Sequence, residues 1–482
     1  QEARKTRHST LVAMAFRLLS GESVDVGGDL GQFGDEVLVA EARTAVALSL
    51  AIDRSRVRLV CSSHAELEDG GSITLDDNCA TVQILPDPKE AEFANAMGIE
   101  HFSDALPMDK IRARSGKLME LPDSIGKLAT ARELHLSSNK LCTLPESIGS
   151  LGALQDLRVD SNMLTSLPTT IGELQSLLEL HLSSNELAIL PDSIGDLGRL
   201  QTLNLFYNKI TVLPNSICNL ANLHKLHLGT NRLTELPDDL GRLSRLQELY
   251  LANNLLELLP DSVCELTDLQ MVQLGCNQLT ALPERLGDLQ ALEELHVGTN
   301  KLSSLPGSIG QLQQLQQLFL ASNELQVLPE PFSLAGLQKL HLRGNKLESL
   351  SADFGCLTSL KKLFLDSNKL AELPDSFGQL RSLEELHLSD NALAQFPESF
   401  FKLSQLQELR AACNDFKFVP DTFSQLSSLK ELDLSANPLE ALPDNFVELT
   451  QLEELHLQMT NFSELPTCLD QLKTQGTIVV IE

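Results

Sequence analysis

Seven histidines recur at one fixed position of a repeated segment, and imidazole is a side chain that can ligate metals or transfer protons near neutral pH. The seven are His135, His181, His227, His296, His341, His387 and His456. No two of them lie in adjacent segments. If each segment supplies one strand of a sheet, neighbouring histidines stand roughly 9 to 10 Å apart. Ligands to one zinc ion each lie about 2 Å from it, so the spacing predicts a polar position on a sheet and no metal site.

Sequence motifs of enzymes are lacking in this chain. It contains no G-x-x-x-x-G-K-[ST] phosphate loop, G-x-G-x-x-G, H-E-x-x-H or G-x-S-x-G elbow. Single His, Ser and Asp residues are common, but no pattern groups them into a nucleophile and a base. We therefore predict a protein that is not an enzyme and that uses no cofactor.

A ladder of asparagines supplies the elements that would position these residues. Fourteen asparagines recur every 23 residues, apart from one step of 22 between Asn323 and Asn345, and the next position carries Thr460. The ladder consists of Asn139, Asn162, Asn185, Asn208, Asn231, Asn254, Asn277, Asn300, Asn323, Asn345, Asn368, Asn391, Asn414 and Asn437. A period of this length predicts a solenoid of stacked units, in which each unit buries its apolar side chains against its neighbours.

The residues before each asparagine explain the unit. In Leu134-His135-Leu136 alternate side chains face opposite ways, so the leucines point into the solenoid and His135 points out. The amide of Asn139 can donate and accept at once, which suits buried backbone groups at the turn after a strand. Thr460 offers only a hydroxyl, so we expect a looser last turn.

The segment Leu134-His-Leu-Ser-Ser-Asn139-Lys-Leu and its repeats resemble the leucine-rich repeat family. The resemblance covers residues 104–482 and implies an α/β horseshoe with a concave parallel sheet. We predict about 15 repeats with terminal caps over residues 105–482. Steps of 23 residues place imperfect end strands at Ile111 and Ala113 and at Ile478 and Val480.

Residues 11–86 have a different pattern: two strands, a helix from Glu36 to Ile52, a strand, a turn and a last strand ending at Leu85. With Leu67-Glu-Asp-Gly70, this order resembles the ubiquitin-like β-grasp fold, a small α+β domain. Pro86-Asp-Pro-Lys89 replaces the free Gly-Gly tail of ubiquitin, so conjugation is not expected. The alternative is an α+β cap unrelated to ubiquitin. A short acidic linker helix is predicted from Pro88 to Met97, within residues 87–104.

Composition limits the partners and the compartment. The 37 basic and 66 acidic residues give a formal net charge of −29, which repels nucleic acid and anionic membranes. The nine cysteines are dispersed without C-x-x-C pairs, which is typical of a reducing compartment. We found no apolar run long enough to insert into a membrane and no signal peptide. These features predict an intracellular, cytoplasmic protein.

Aromatic residues on the concave face are candidates for partner binding. The chain has two tyrosines and no tryptophan, and aromatic side chains dominate interface energetics. We predict a partner-binding surface around Phe206, Tyr207, Tyr250, Phe319 and Phe364, together with the histidines of the same column, His227, His296 and His341. The alternative is that the phenylalanines stack on their neighbours as packing.

Charge varies along the neighbouring column. Four glutamates fall at one position of successive repeats, and a small basic island of Lys339, Arg343 and Lys362 precedes them. The glutamates are Glu385, Glu408, Glu431 and Glu454. Like charges on adjacent strands destabilise a sheet unless a cation meets them. We therefore predict a basic partner segment there, and a solvated acidic surface is the alternative.

The repeats most resemble the intracellular Ras-group-related leucine-rich repeat proteins, which share the Leu-Pro-x-x-Ile-Gly-x-Leu segment found at Leu144–Leu151 and Leu190–Leu197. The resemblance implies a non-catalytic signalling scaffold that binds a protein partner on its concave face. Two alternatives are a ubiquitin-system adaptor that recruits clients through the repeats, and a structural subunit of a large assembly. The Gly-Val-Tyr-Trp tail of the plant members is absent, so no family site residues are carried over.

Overall fold

The computed structural model describes residues 37–38, 57–60, 72–73, 81–84, 87–113 and 116–481. The chain divides into two compact units, Gln1–Asp104 and Ala105–Glu482.

In the first unit, strand β1 (Val37–Leu38) pairs antiparallel with β3 (Ser72–Ile73), and β2 (Val57–Val60) pairs antiparallel with β4 (Thr81–Ile84). Helix α1 spans Pro88–Met97, as predicted, and ends at Gly98 in the left-handed conformation. The prediction of a helix starting at Glu36 is wrong at its beginning, because Val37 and Leu38 pair as a strand. Most of the predicted ubiquitin-like domain lies outside the described residues.

The second unit is a parallel sheet of seventeen short strands. They are β5 (Lys110–Arg112), β6 (Glu133–His135), β7 (Asp156–Arg158), β8 (Glu179–His181), β9 (Thr202–Asn204), β10 (Lys225–His227), β11 (Glu248–Tyr250), β12 (Met271–Gln273), β13 (Glu294–His296), β14 (Gln317–Phe319), β15 (Lys339–His341), β16 (Lys362–Phe364), β17 (Glu385–His387), β18 (Glu408–Arg410), β19 (Glu431–Asp433), β20 (Glu454–His456) and β21 (Ile478–Val480).

Across the core from the sheet, most repeats form a 3-10 helix. In the repeat of Asn185, Pro191 precedes the 3-10 helix Asp192–Asp196, whose Ile194 and Gly195 are buried. The 3-10 helices span Phe102–Ala105, Asp123–Lys127, Glu146–Ser150, Thr169–Glu173, Asp192–Asp196, Asn215–Asn219, Leu240–Arg242, Asp261–Glu265, Leu286–Asp288, Gly307–Gln311, Phe354–Cys356, Asp375–Gln379, Glu398–Lys402, Asp421–Gln425 and Asp444–Glu448. Leucines from both layers fill the space between them, so the core is a continuous column rather than a globule.

The predicted role of the asparagines is confirmed. Asn254 donates from Nδ2 to the carbonyls of Leu228 (2.9 Å) and Leu251 (3.0 Å), and its Oδ1 accepts from the N–H of Leu233 at 3.0 Å. Thr460 makes a single side-chain bond, to the carbonyl of Leu457. Each asparagine therefore connects its own turn to the preceding repeats through buried backbone groups.

The 23-residue step predicted the register of the first end strand correctly but not that of the last. Ile111 pairs with Leu134, as predicted. At the other end the prediction is wrong by one residue, because Leu455 pairs with Val479 rather than Ile478. Helix α2 (Cys468–Gln475) and Gly476 occupy the place of the 3-10 helix and lengthen this connection. As a result, Ile478 lies outward, beside Glu454, and is 59% exposed.

Candidate protein-binding face

The sheet face is the surface formed by the outward side chains of β5 to β21 and by the second and third residues after each strand. The first residues of neighbouring strands pair with each other, as do the last residues, so each position forms a column along the solenoid. The predicted column of His227, Tyr250, Phe319 and Phe364 is present in this register. The middle residue of each strand points inward and is a buried leucine or valine in most repeats.

The tyrosine cluster comprises Phe206, Tyr207, His227 and Tyr250. The His227 and Tyr250 rings stack with centroids 4.2 Å apart, and the Phe206 and Tyr207 rings lie 6.3 Å apart. The hydroxyl of Tyr250 donates to Glu248 at 2.8 Å, and burial together with this carboxylate raises the pKa of Tyr250 to about 12. Burial lowers the pKa of His227. His227 and Tyr250 therefore present neutral, largely apolar rings at neutral pH.

The ring ladder comprises His296, Phe319, His341, Phe364 and His387. The first four rings stack face to face, with centroids 4.1, 4.6 and 4.0 Å apart in chain order. His387 closes the series edge-on to Phe364 at 4.7 Å. The alternative interpretation, in which Phe319 and Phe364 pack on their neighbours, therefore applies to their ring faces, because histidine rings stack on these faces. Only ring edges are left to contact a partner.

His341 makes the folding stability of the protein depend on pH. Its ring lies between two phenylalanines, its Nε2 has no hydrogen-bond partner within the described residues, and burial lowers its pKa from 6.5 to about 4. Lys339 adds to this shift, while Glu385 opposes it. Since the unfolded chain takes up the proton first, folding stability is lost as the pH falls from about 6.5 towards 4.

We expect His341→Phe to remove this loss, because phenylalanine already occupies the equivalent position in both neighbouring repeats. The free energy of unfolding of the wild type, relative to the variant, should fall by about 1 to 2 kcal/mol between pH 7 and pH 4.5, since solvent screens a half-buried ring. Urea unfolding of both proteins at the two pH values measures this difference. An equal difference at both pH values would contradict the prediction.

The acidic stack of Glu385, Glu408, Glu431 and Glu454 forms on β17 to β20, as the register predicted. Cations of the same face meet it. Lys362 Nζ lies 2.6 Å from Glu385, Arg410 Nε lies 2.6 Å from Glu408, and Arg410 Nη2 lies 3.7 Å from Glu431. His456 Nε2 is 3.5 Å from Glu454. The electrostatic argument for a basic partner segment is therefore weaker, and that segment stays a prediction.

Two groups on the sheet face combine one histidine with two carboxylates, an arrangement that histidine spacing alone did not suggest. They are Asp156, Glu179 and His181, and Glu385, His387 and Glu408, with ligand atoms within 4.8 Å of one another in each group. Such atoms could hold a divalent cation. Each group already contains a protein cation, however: Arg158 Nε lies 2.9 Å from Asp156 in the first, and Lys362 and Arg410 contact the second. We interpret both as ion-pair networks.

Exposed apolar residues beside the sheet face were missed from the sequence. Ile189, Val212, Leu258, Val327 and Phe418 all stand four residues after the ladder asparagine of their repeats and are 45 to 61% exposed. Other repeats carry polar residues or alanine there, and this contrast is the signal that could have found them. Phe418 also borders a groove of about 660 Å³ whose lining includes Phe396, Pro420 and Pro438.

None of the helices in the described part of the chain combines the length and the apolar composition of a membrane-spanning helix. The described cysteines are all free, and three of them, Cys218, Cys264 and Cys468, are buried.

Family models of the leucine-rich repeat match this chain in several places. A leucine-rich repeat region model matches residues 179–253 and 340–464, and two models of the single leucine-rich repeat match residues 267–325 and residues 130–151 and 245–266. A search of the curated proteins found no match.

Solved structures extend the similarity over most of the chain. A leucine-rich repeat protein of Leptospira interrogans is 32% identical, with 74% of this chain and 97% of that one covered and a TM-score of 0.65. The leucine-rich effector YopM of Yersinia pestis is 28% identical, with coverages of 77% and 95% and a TM-score of 0.57. The plant peptide hormone receptor RGFR1 in complex with RGF2 is 28% identical, with coverages of 75% and 64% and a TM-score of 0.65. The repeated strand, the buried asparagine ladder and these matches together show that the chain belongs to the leucine-rich repeat family.

Proposed function

We propose that this protein is a non-enzymatic interaction scaffold that binds a partner protein through the tyrosine cluster on its sheet face, which the family resemblance makes concave. The observation that carries the proposal is the exposure of Phe206 and Tyr207, at 46% and 59%. Large aromatic residues with this exposure are the anchors that typically dominate binding energy. The similar plant receptor was determined in complex with RGF2, which supports a binding role for a protein of this fold.

The backbone of Tyr207 supports the same proposal. The residue before each ladder asparagine has a left-handed φ, and Tyr207 has a φ of 55°. Before the other asparagines the equivalent residues are small or polar, such as Ser184, Thr230 and Asn253, and before Thr460 the equivalent residue is Met459. A bulky aromatic residue is disfavoured in this conformation. Because Tyr207 is also largely exposed, its side chain contributes little packing energy to the core. Selection for partner binding accounts for a tyrosine at this position.

The finer features of the proposal follow from the sequence. The chain would belong to the Ras-group-related class and act inside the cell, where its free cysteines would stay reduced. It would bind neither nucleic acid nor a membrane, because its net charge repels both. The roles as a ubiquitin-system adaptor or as a structural subunit stay predictions.

The test compares affinity captures from lysate of the source cells. The variant Phe206→Ala/Tyr207→Ala/Tyr250→Ala should lose the partner that the wild type captures, since loss of one anchor typically costs about 2 kcal/mol or more of binding. Quantitative mass spectrometry of the captured proteins measures the loss.

The matched control is Ile189→Ala/Val212→Ala/Leu258→Ala, which removes as many exposed apolar side chains from the side of the repeats. It should retain the partner. Thermal unfolding by circular dichroism shows whether both variants are folded. A partner set that is the same for the wild type and the aromatic variant would move the binding site elsewhere.

A further inference from the structure

Lys339 and Arg343 differ from the other cations of the sheet face. Within the described residues neither forms an ion pair with a carboxylate, whereas the other cations of this face do. The paired cations are Lys110, Arg112, Arg158, Lys225, Lys362 and Arg410. In a chain with a formal net charge of −29, carboxylates are plentiful. Two cations without an ion pair in one repeat are therefore unusual. Arg343 does lie near the Asp366 carboxyl group of the next repeat, where burial raises the pKa of Asp366 and Arg343 is among the groups that lower it.

The surroundings of these cations combine apolar and polar groups. Lys339 pairs with Gln317 and Lys362 on the neighbouring strands, and Asp366 holds the position equivalent to Arg343 in the next repeat. The Lys339 ammonium lies 5.1 Å from the centroid of the Phe319 ring, whose faces stack on His296 and His341. Arg343 is exposed and stands two residues after its strand. The equivalent residues of the two preceding repeats are Gly298 and Ala321. Carbon-rich ring edges, small side chains and two cations thus lie side by side.

The fold does not impose small residues at that position. The equivalent residue is Asp160 near one end of the solenoid and Phe206 in the tyrosine cluster, so the turn accepts both a charge and a large ring. Because Gly298 and Ala321 carry almost no side chain, a segment approaching from solvent can reach the edges of the ladder rings. Such a segment would meet Lys339 and Arg343 where the small side chains end.

We propose that Lys339 and Arg343 bind a carboxylate of an acidic segment from a partner protein, which lies along the ring ladder. Arg343 offers the forked guanidinium that binds a carboxylate through two hydrogen bonds, and Lys339 adds a second charge. Charge complementarity selects an acidic occupant here. The negative field of the whole chain disfavours polyanions such as nucleic acid, so one or two carboxylates beside apolar side chains fit better. This inference rests on the proposed scaffold function and names the chemistry of its partner.

A library of random short peptides displayed on phage supplies a defined probe, and the whole chain is the bait. We expect the enriched peptides to carry Asp or Glu next to an apolar residue. One enriched peptide is then labelled, and its affinity is measured by fluorescence anisotropy. The variant Lys339→Glu/Arg343→Glu should bind it roughly ten- to a hundredfold more weakly, as expected for loss of charge-assisted hydrogen bonds. Binding to the wild type should also weaken as salt is raised.

The control variant is Lys346→Glu/Lys369→Glu, which reverses as many charges in the same repeat and the next one, but outside the sheet face. It should bind the peptide as the wild type does. The neutral variant Lys339→Gln/Arg343→Gln separates loss of attraction from new repulsion and should lose at least tenfold. Unfolding curves of all variants verify that they are folded.

Four results would overturn the inference: no enrichment, enrichment without acidic residues, an equal loss in the control variant, or displacement of the peptide by a single-stranded oligonucleotide as readily as by unlabelled peptide. The proposed function has a separate readout. Peptides that bind the Lys339→Glu/Arg343→Glu variant normally but not the variant of the tyrosine cluster would leave the scaffold proposal standing and remove this one.

Discussion

Replacement of Asn254 by alanine should lower the free energy of unfolding by about 3 to 5 kcal/mol. The side chain satisfies the carbonyls of Leu228 and Leu251 and the N–H of Leu233, which are all buried backbone groups. Alanine can neither donate nor accept, so the N–H of Leu233 loses its partner, and the carbonyls of Leu228 and Leu251 keep only the bonds that they accept from Asn231 and Asn277. The measurements are the urea unfolding midpoint and hydrogen exchange of the Leu233 amide, which should lose protection.

Thr460→Ala provides the matched control, because it changes the same position of the ladder where the native side chain makes a single hydrogen bond. We expect a loss of about 1 kcal/mol. Equal losses in the two variants would mean that the three bonds of Asn254 contribute no more than one. In that case the ladder would reflect turn preference rather than buried hydrogen bonding.

A methyl group added at Gly195 should also be strongly destabilising. A Cβ built there would stand 2.2 Å from the carbonyl oxygen of Ser216 and 2.7 Å from its carbonyl carbon. These atoms belong to the backbone of the next repeat and cannot rotate away. Gly195→Ala should therefore push the two repeats apart and cost about 3 kcal/mol. Urea unfolding measures the cost.

Gly198 lies three residues further along the same repeat, and a Cβ there would meet no atom within 4 Å. Gly198→Ala should change the free energy of unfolding by no more than about 0.5 kcal/mol. A similar effect of both substitutions would show that glycine flexibility, rather than close approach of the repeats, governs this part of the fold.

The asparagine spacing predicted the register of the sheet because every repeat packs on its neighbours alone. A period of 23 residues therefore determines which residues lie side by side, and Ile111 was placed correctly from it. The rule failed at Val479, since a helix replaced the 3-10 helix and changed the length of one connection. The first unit has no repeat, so the strand at Val37 could not be anticipated in this way.

For the candidate site, the sequence determined the columns but not the contacts within them. That Phe319 and His341 are neighbours follows from the period; that their rings stack face to face depends on side-chain torsions, which the period does not specify. Likewise, the sequence placed four glutamates in a row, and the structure showed Arg410 bridging two of them.

By itself, then, the sequence determined the repeat, the direction of each side chain and the composition of each column, because these depend only on local alternation and a fixed step. Only the tertiary structure decided which rings share their faces, which charges are neutralised and that Lys339 and Arg343 form no ion pair with a carboxylate within the described residues. Such contacts depend on how long side chains orient across neighbouring strands, where several partners lie within reach and packing selects among them.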